Sequence, residues 1–226
     1  MYEKLNGLFS KNDLQSLGSA NILLVGIGGV GSPCFECLIR SGIKNITIID
    51  NDIYEESNLN RQLFSNIDTI GKEKTEILKA IALKINPDIK VTAIKEMINE
   101  NSNLDFTKYD YIIDACDDVK AKGYLIMNAD KYNVPIISTF GIGNRLDPSK
   151  IVVCLNNEIN DHLGKKLNKY LSKNNFNKNF KVVASREAAI KQNPIGSYIC
   201  VTMSAGIMLA NEVIKDVVNE NRKHKK

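Results

Sequence analysis

Short, unbroken apolar runs alternate along this chain with stretches whose apolar residues recur every three or four positions. The runs "NILLVG", "NITIID", "IKVTAI", "YDYIIDA" and "VPIIST" read as five strands, apolar enough to be covered on both faces. Helical periods fall between them. Residues 32–41 open on Pro33, which suits a first helical turn, and stop at Gly42. In "KEKTEILKAIALKINP", Ile77, Ile81 and Ile85 recur every four residues, and Asn86-Pro87 ends the helix. A further helix spans 118–132. The first twenty residues read as one short helix, with Leu5, Leu8, Phe9, Leu14 and Leu17 as its apolar side. Strands alternating with helices predict an α/β fold with a doubly wound, Rossmann-like, mostly parallel sheet. After Gly143 the rhythm changes. "KIVVCL" and "FKVVA" predict additional strands separated by a lysine-rich helix, and a long C-terminal helix covers roughly 201–219. No repeat or flexible linker interrupts the pattern, so a single domain over 1–226 is expected. It begins with the helical segment 1–20 and ends in a basic tail, 221–226, read as disordered.

Composition narrows the class. A chain of 226 residues can bury a full core. No apolar run is long enough to cross a bilayer, and "MYEKLNGLFSKNDLQ" carries charges where a signal peptide is apolar. A cytoplasmic protein without a membrane partner is expected. The odd number of cysteines (Cys34, Cys37, Cys116, Cys154 and Cys200) points to free thiols in a reducing compartment. The only CxxC is "CFEC", too little for a tetrahedral zinc site. Core packing is expected for Cys34, Cys37 and Cys154, and burial for Cys200. Cys116 lies among acids that disfavour its thiolate. Net charge is only +4, but the excess is concentrated late. Lys165, Lys166, Lys169, Lys173, Lys178 and Lys181 share a run without an acidic residue. Such a run is either a solvated face or a phosphate-contacting one. Tyr170 and Phe176 within it could stack on bases, but their helical spacing favours core.

The chemistry begins at "GIGGVGS". Gly26, Gly28, Gly29 and Gly31 follow the first strand and open a helix, a place where backbone N–H groups hold phosphate. Asp50 ends the second strand, nineteen residues beyond Gly31, and suits ribose hydroxyls. Both features fit NAD or ATP. Asp52 is either a turn residue or a ligand. Discrimination starts at "ESNLNRQLFS", where Asn58, Asn60, Arg61 and Gln62 cluster. An NAD site needs no cation there, whereas a triphosphate does, and Arg61 supplies it. Lys74 or Lys72 stands near the start of the next helix, where a cation opposes the dipole unless an anion is near. Asp114, Asp117 and Asp118 end the fourth strand, where such sheets present their ligand crevice. Carboxylates there suit either Mg²⁺ or a helix N-cap.

The set GxGGxG, IIDxD, NLNRQ, GKxK and DAxD, in order over Asn21 to about Asp147, resembles the ThiF/MoeB/HesA superfamily, relatives of the ubiquitin-activating enzymes. The resemblance implies attachment of AMP from ATP to a carboxylate, with release of pyrophosphate. It implies that Gly28, Gly29 and Gly31 line the nucleotide and that Asp50 holds the ribose. It assigns Asn58, Arg61 and Gln62 to the phosphates, Lys74 to the α-phosphate, and Asp117 to Mg²⁺. It also implies a homodimer. The second half, from "FGIGNRLDPSKIVV" to "PIGSYICVTMSAGIMLANEVIKDV", is similar to the branch that dehydrates threonylcarbamoyladenosine in tRNA. That implies a tRNA substrate contacted by the late lysines, and no enzyme nucleophile. The alternatives are activation of a small sulfur-carrier protein ending in Gly-Gly and nucleotide binding without catalysis. The superfamily usually carries an arginine in its N-terminal helix. This chain has none before Arg40, which leaves Lys4 as the replacement. It also has His162 and lysines where that branch usually reads proline and arginine.

Overall fold

The computed structural model describes residues 3–223, with side chains through residue 220. Seven strands form one sheet: β1 (Asn21–Val25), β2 (Asn45–Ile49), β3 (Lys90–Ile94), β4 (Tyr111–Asp114), β5 (Ile136–Thr139), β6 (Ile151–Leu155) and β7 (Lys181–Ser185). Their order is β3-β2-β1-β4-β5-β7-β6. Every pairing is parallel except that of β6 with β7. The helices are α1 (Lys11–Ser19), α2 (Gly31–Arg40), α3 (Lys74–Ile85), α4 (Val119–Lys131), α5 (His162–Lys173) and α6 (Ile199–Lys223).

The two-residue period of β1 explains the two layers. Ile22 and Leu24 join one core with Phe35 and Leu38 of α2 and with Val201, Ala205 and Leu209 of α6. Leu23 and Val25 point the other way, into a second core with Ala121 and Leu125 of α4. Each such aliphatic side chain contributes about 1.5–3 kcal/mol when removed from water. A third cluster joins Ile126 to Phe140, Leu167, Leu171 and Val182, and seats α5 beside α4. The small residues of α6 have a steric reason. A Cβ on Gly206 would lie 2.6 Å from Pro33 Cγ and would also strike the Val30 carbonyl oxygen. The helix therefore passes directly over the start of α2 only because Gly206 has no side chain.

Several sequence expectations change. The first twenty residues are a 3-10 turn, Glu3–Gly7, followed by α1, because Ser10 and Asp13 form a capping box that starts a new helix. Leu8 is exposed, not packed. In α3 the buried apolar positions are Leu78 and Ala82, with Ile77, Ile81 and Ile85 half-buried. Cys200 is exposed at the start of α6, which contradicts its expected burial. Its position on the first turn leaves it outside the packed face. The backbone of α6 continues to Lys223, past the predicted end and into the expected tail; residues 224–226 lie outside the described residues. Phe176 packs against the third core and near Phe180, and the Tyr170 ring lies against Gly123, so both aromatics are structural.

Candidate active site

β1 and β4 are neighbours, and the chain leaves them in opposite directions across the sheet. Ligands of doubly wound folds bind at this switch point, beyond the carboxyl ends of the strands. A cavity of about 1360 Å³ opens there, between the loops after β1, β2, β4 and β5.

The glycine loop forms its floor. Gly26 has φ +83°, and a Cβ there would come within 2.7 Å of the Ala115 carbonyl and the Cys116 nitrogen. Only glycine allows this turn to lie on the loop after β4. Asp50 anchors the loop from β2: one carboxylate oxygen accepts the Ile27 N–H at 2.8 Å, and the other accepts the Asp52 N–H at 2.9 Å. Gly26, Gly28, Gly29, Asp50 and Asp52 all line the cavity. Gly31 does not. It is the first residue of α2 and packs against the Gly26 carbonyl.

The segment after β2 brings its side chains to this floor. A Cβ on Gly28 would lie 3.6 Å from Gln62 Nε2, and one on Gly29 would lie 3.4 Å from Arg61 Cγ. The Arg61 guanidinium donates to the Ser57 carbonyl and to Asn60 Oδ1, and has no carboxylate partner among the described residues. Gln62 is buried, and its Oε1 has no hydrogen-bond partner among the described residues. A buried acceptor left this way is costly, so a donor-bearing ligand at the loop would relieve it. Asn58 also lines the cavity, but its amide caps the 3-10 turn Glu56–Asn58, accepting from the Glu55 N–H and donating to Ser57 Oγ.

Lys74 begins α3 and is 3% exposed, and its Nζ donates to Asp52 Oδ2 at 2.8 Å. The anion that makes a cation tolerable at a helix N-terminus is therefore within the chain. Lys72 is exposed and does not line the cavity.

The acids after β4 divide their roles. Asp118 caps α4 through the Ala121 N–H, 2.8 Å away, while Asp117 is exposed and faces the cavity. Asp114 is fully buried, bound to Lys122 Nζ at 3.0 Å and to the hydroxyl of Ser138. Sequence reasoning missed Lys122. The available signal was its position on the apolar side of α4, with Leu125, Ile126 and Ala129. Cys116 Sγ lies 2.9 Å from Asp114 Oδ1. Burial, then the Asp114 charge, pushes its thiol well above the ordinary value, which disfavours the thiolate form. Among the described residues, no group of three or more His, Cys, Asp or Glu side chains could hold a metal.

The outer half of the cavity is built from the loop after β5, the start of α5 and the segment before α6. Lys166, Lys191 and His162 stand there, and Arg145 is buried, held by the Glu187 and Gly143 carbonyls. Two of the late lysines are engaged elsewhere. Lys178 pairs with Asp130, and Lys181 with Glu212 and Asp216. Lys4 is exposed in the first 3-10 turn and does not line the cavity of its own chain.

The ThiF family model matches residues 2–226. This chain belongs to the ThiF family. Among its relatives, the tRNA threonylcarbamoyladenosine dehydratase of Haemophilus influenzae is 38% identical over 83% of this chain and 74% of its own length. The dehydratase of the same name from Bacillus subtilis is 29% identical over 93% of this chain and 91% of its own. The crystal structure of Escherichia coli tRNA N6-threonylcarbamoyladenosine dehydratase, TcdA, in complex with ATP superposes with a TM-score of 0.94 at 30% identity. That match covers 98% of this chain and 95% of that one. The cavity of this ThiF-family chain thus brings together a glycine-rich turn at a helix start, the cations of Arg61 and Lys74, and the exposed Asp117 carboxylate.

Proposed function

We propose that this protein uses ATP to adenylate the threonyl carboxylate of threonylcarbamoyladenosine in tRNA, and so drives a cyclising dehydration. One observation carries the reading. The likeness to the dehydratases extends through the second half of the chain, which builds the outer wall of the cavity beside the glycine loop.

Gly28, Gly29 and Gly31 shape the loop whose N–H groups receive phosphate. Asp50 has lone pairs to spare for ribose hydroxyls after binding two backbone N–H groups. Gln62 Nε2, beside Gly28, would donate to a phosphate, while its Oε1 would accept from a hydroxyl or amino group of the nucleotide, and Asn58 holds the turn that presents Arg61. Arg61 and Lys74 neutralise the charge that builds on the phosphates as a carboxylate oxygen attacks the α-phosphorus and pyrophosphate leaves. Asp52 acts through Lys74. The donor set suits Mg²⁺ bound by Asp117 together with nucleotide phosphates, since this ion commonly keeps few protein ligands. When bound, Mg²⁺ would offset charge on the leaving pyrophosphate. A nucleophilic atom of the same modification then attacks the acyl carbon, closes a ring and expels AMP. The carboxylate oxygen departs with AMP and the attacking atom gives up its proton, so relative to its acid form the modified nucleoside loses one water. Tethering supplies the effective concentration, and no side-chain nucleophile is required.

The test is incubation with ATP, Mg²⁺ and tRNA carrying the modification, followed by nucleoside mass spectrometry. Loss of one water is expected, and an unchanged mass under conditions of bound ATP rejects the reading. Pyrophosphate exchange that depends on a Gly-Gly-ending carrier protein instead of tRNA would select the sulfur-carrier alternative. The same reading implies a homodimer, to be checked by light scattering, and a cytoplasmic setting, supported by the five free cysteines.

A further inference from the structure

Residues 186–198, between β7 and α6, contain neither helix nor strand and run along the cavity mouth. Asn144, in the loop after β5, holds this strap with every polar group it has. Its N–H donates to the Gly196 carbonyl at 2.8 Å, and its carbonyl accepts the Ile190 N–H at 2.8 Å. Its side-chain Nδ2 donates to the Gln192 carbonyl at 3.1 Å, and Oδ1 accepts the Gly196 N–H. The backbone there has φ +58°, a left-handed conformation that asparagine tolerates better than most residues. The neighbouring Gly143 lets the strap sit on the loop, since a Cβ there would lie 2.6 Å from Ile195 Cγ2. At the strap's far end, Asn60 Nδ2 donates to the Ser197 carbonyl at 3.0 Å, one residue from Arg61. The strap is therefore strung from the outer wall to the glycine-loop side, and it carries Lys191 to the cavity mouth. Lys191 and, on α5, Lys166 are exposed, and neither is ion-paired among the described residues.

We propose that Asn144 is a positioning residue whose side chain staples the 186–198 strap so that Lys191 meets a phosphate of the nucleic-acid substrate. The inference rests on the tRNA reading above. The four Asn144 bonds all run to the outer-wall strap, and the glycine-loop side is tied by the separate Asn60 bond to Ser197, so losing the staple should disturb the acceptor half of the cavity more than the nucleotide half.

Asn144→Gly keeps the left-handed backbone and both main-chain bonds while deleting the two side-chain bonds. Two lost bonds correspond to roughly a tenfold rise in KM for modified tRNA. ATP affinity, measured by calorimetry, should stay within about twofold, and trypsin should cleave faster after Lys191. Asn144→Asp retains the Oδ1 acceptor and should fall between the two. Lys191→Ala should raise the same KM and lower the salt slope of tRNA binding by about one. Combining it with Asn144→Gly should add little, because both remove the same phosphate contact. A wild-type KM for Asn144→Gly, or fully additive effects, overturns the staple. If wild-type protein does not turn over tRNA but Asn144→Gly still accelerates cleavage after Lys191, the staple stands and the substrate assignment falls.

Discussion

The Lys74 ammonium lies 2.8 Å from the Asp52 carboxylate, and the two differ sharply in exposure, the Lys74 side chain at 4% and Asp52 at 59%. A phosphate arriving at Lys74 must therefore compete with an internal carboxylate that water already screens. Asp52→Asn should cost about 1 kcal/mol of stability, because a buried cation loses its partner but the lost charge was largely solvated. Added ATP should then raise the melting temperature more in Asp52→Asn than in the parent protein. An equal or smaller rise would show that Lys74 does not face the nucleotide.

Arg61→Ala and Lys74→Ala should each lower turnover by about 100-fold or more, since each removes charge stabilisation that matters most in the transition state. Circular dichroism should show the fold retained in both. Near-normal turnover in either variant would remove that residue from the catalytic set.

Lys122 and Asp114 are both fully buried and paired at 3.0 Å. Lys122→Met leaves the Asp114 charge uncompensated and should cost about 3–5 kcal/mol in urea unfolding. Adding Asp114→Asn removes that charge and should recover part of the loss. A double variant no better than the single one would mean that the ionic pairing is not what matters at this position.

Lys181 binds both Glu212 and Asp216, tying β7 to α6, and Asp216 also accepts from the Tyr111 hydroxyl at 2.7 Å. Burial opposes the charge on Glu212, but the Lys181 and Lys215 ammoniums outweigh it and hold the carboxyl below its ordinary value. Its contribution is present above the ordinary carboxylate range and is lost as pH falls through the lowered value. Burial likewise opposes the charge on Lys181, yet Asp216 and Glu212 hold the ammonium above its ordinary value. That contribution is complete below the ordinary lysine pKa of about 10.4 and is lost as pH rises through the raised one. The stability gap between the parent and Lys181→Met should be level at neutral pH and shrink at both extremes. A gap that ignores pH would assign it to the aliphatic stem alone.

Lys165, Lys166, Lys169 and Lys173 are exposed, while Leu167 and Leu171 of the same helix are buried. Replacing Lys165, Lys166 and Lys169 with alanine should raise the KM for tRNA and reduce its salt slope by about two to three. Replacing Lys178, already paired with Asp130, should not change that slope. An unchanged slope in the triple variant would return α5 to plain solvated surface.

The legible parts of the site were those written in adjacent residues. The glycine spacing, Asp50 at a strand end, and Arg61 beside Gln62 could be read directly, because local backbone geometry decides where such groups emerge. From the residues alone Asp117 and Asp118 could be named but not told apart, and only the family resemblance singled out Asp117, since N-cap and cavity-facing carboxylate differ by one residue of helix phase. Lys122 was overlooked because a lysine on an apolar helix face makes sense only once Asp114 is known to lie beneath it. The strap was equally silent: its bonds to Asn144 bridge 46 to 52 positions of irregular chain, where no period exists to read.

By itself, the sequence determined which segments leave water and in what rhythm, and therefore the alternating strands and helices, the doubly wound layers and the glycine-rich turn at a helix start. These follow from side-chain period and backbone stereochemistry, which act over a few residues. Only the tertiary structure decided that β7 enters the sheet between β5 and β6, that Lys74 meets Asp52, and that Asn144 holds the strap. A pattern of polar and apolar positions states that a group must find a partner. Which partner it finds depends on the order of strands in the sheet, and that order is set by the whole packed core at once.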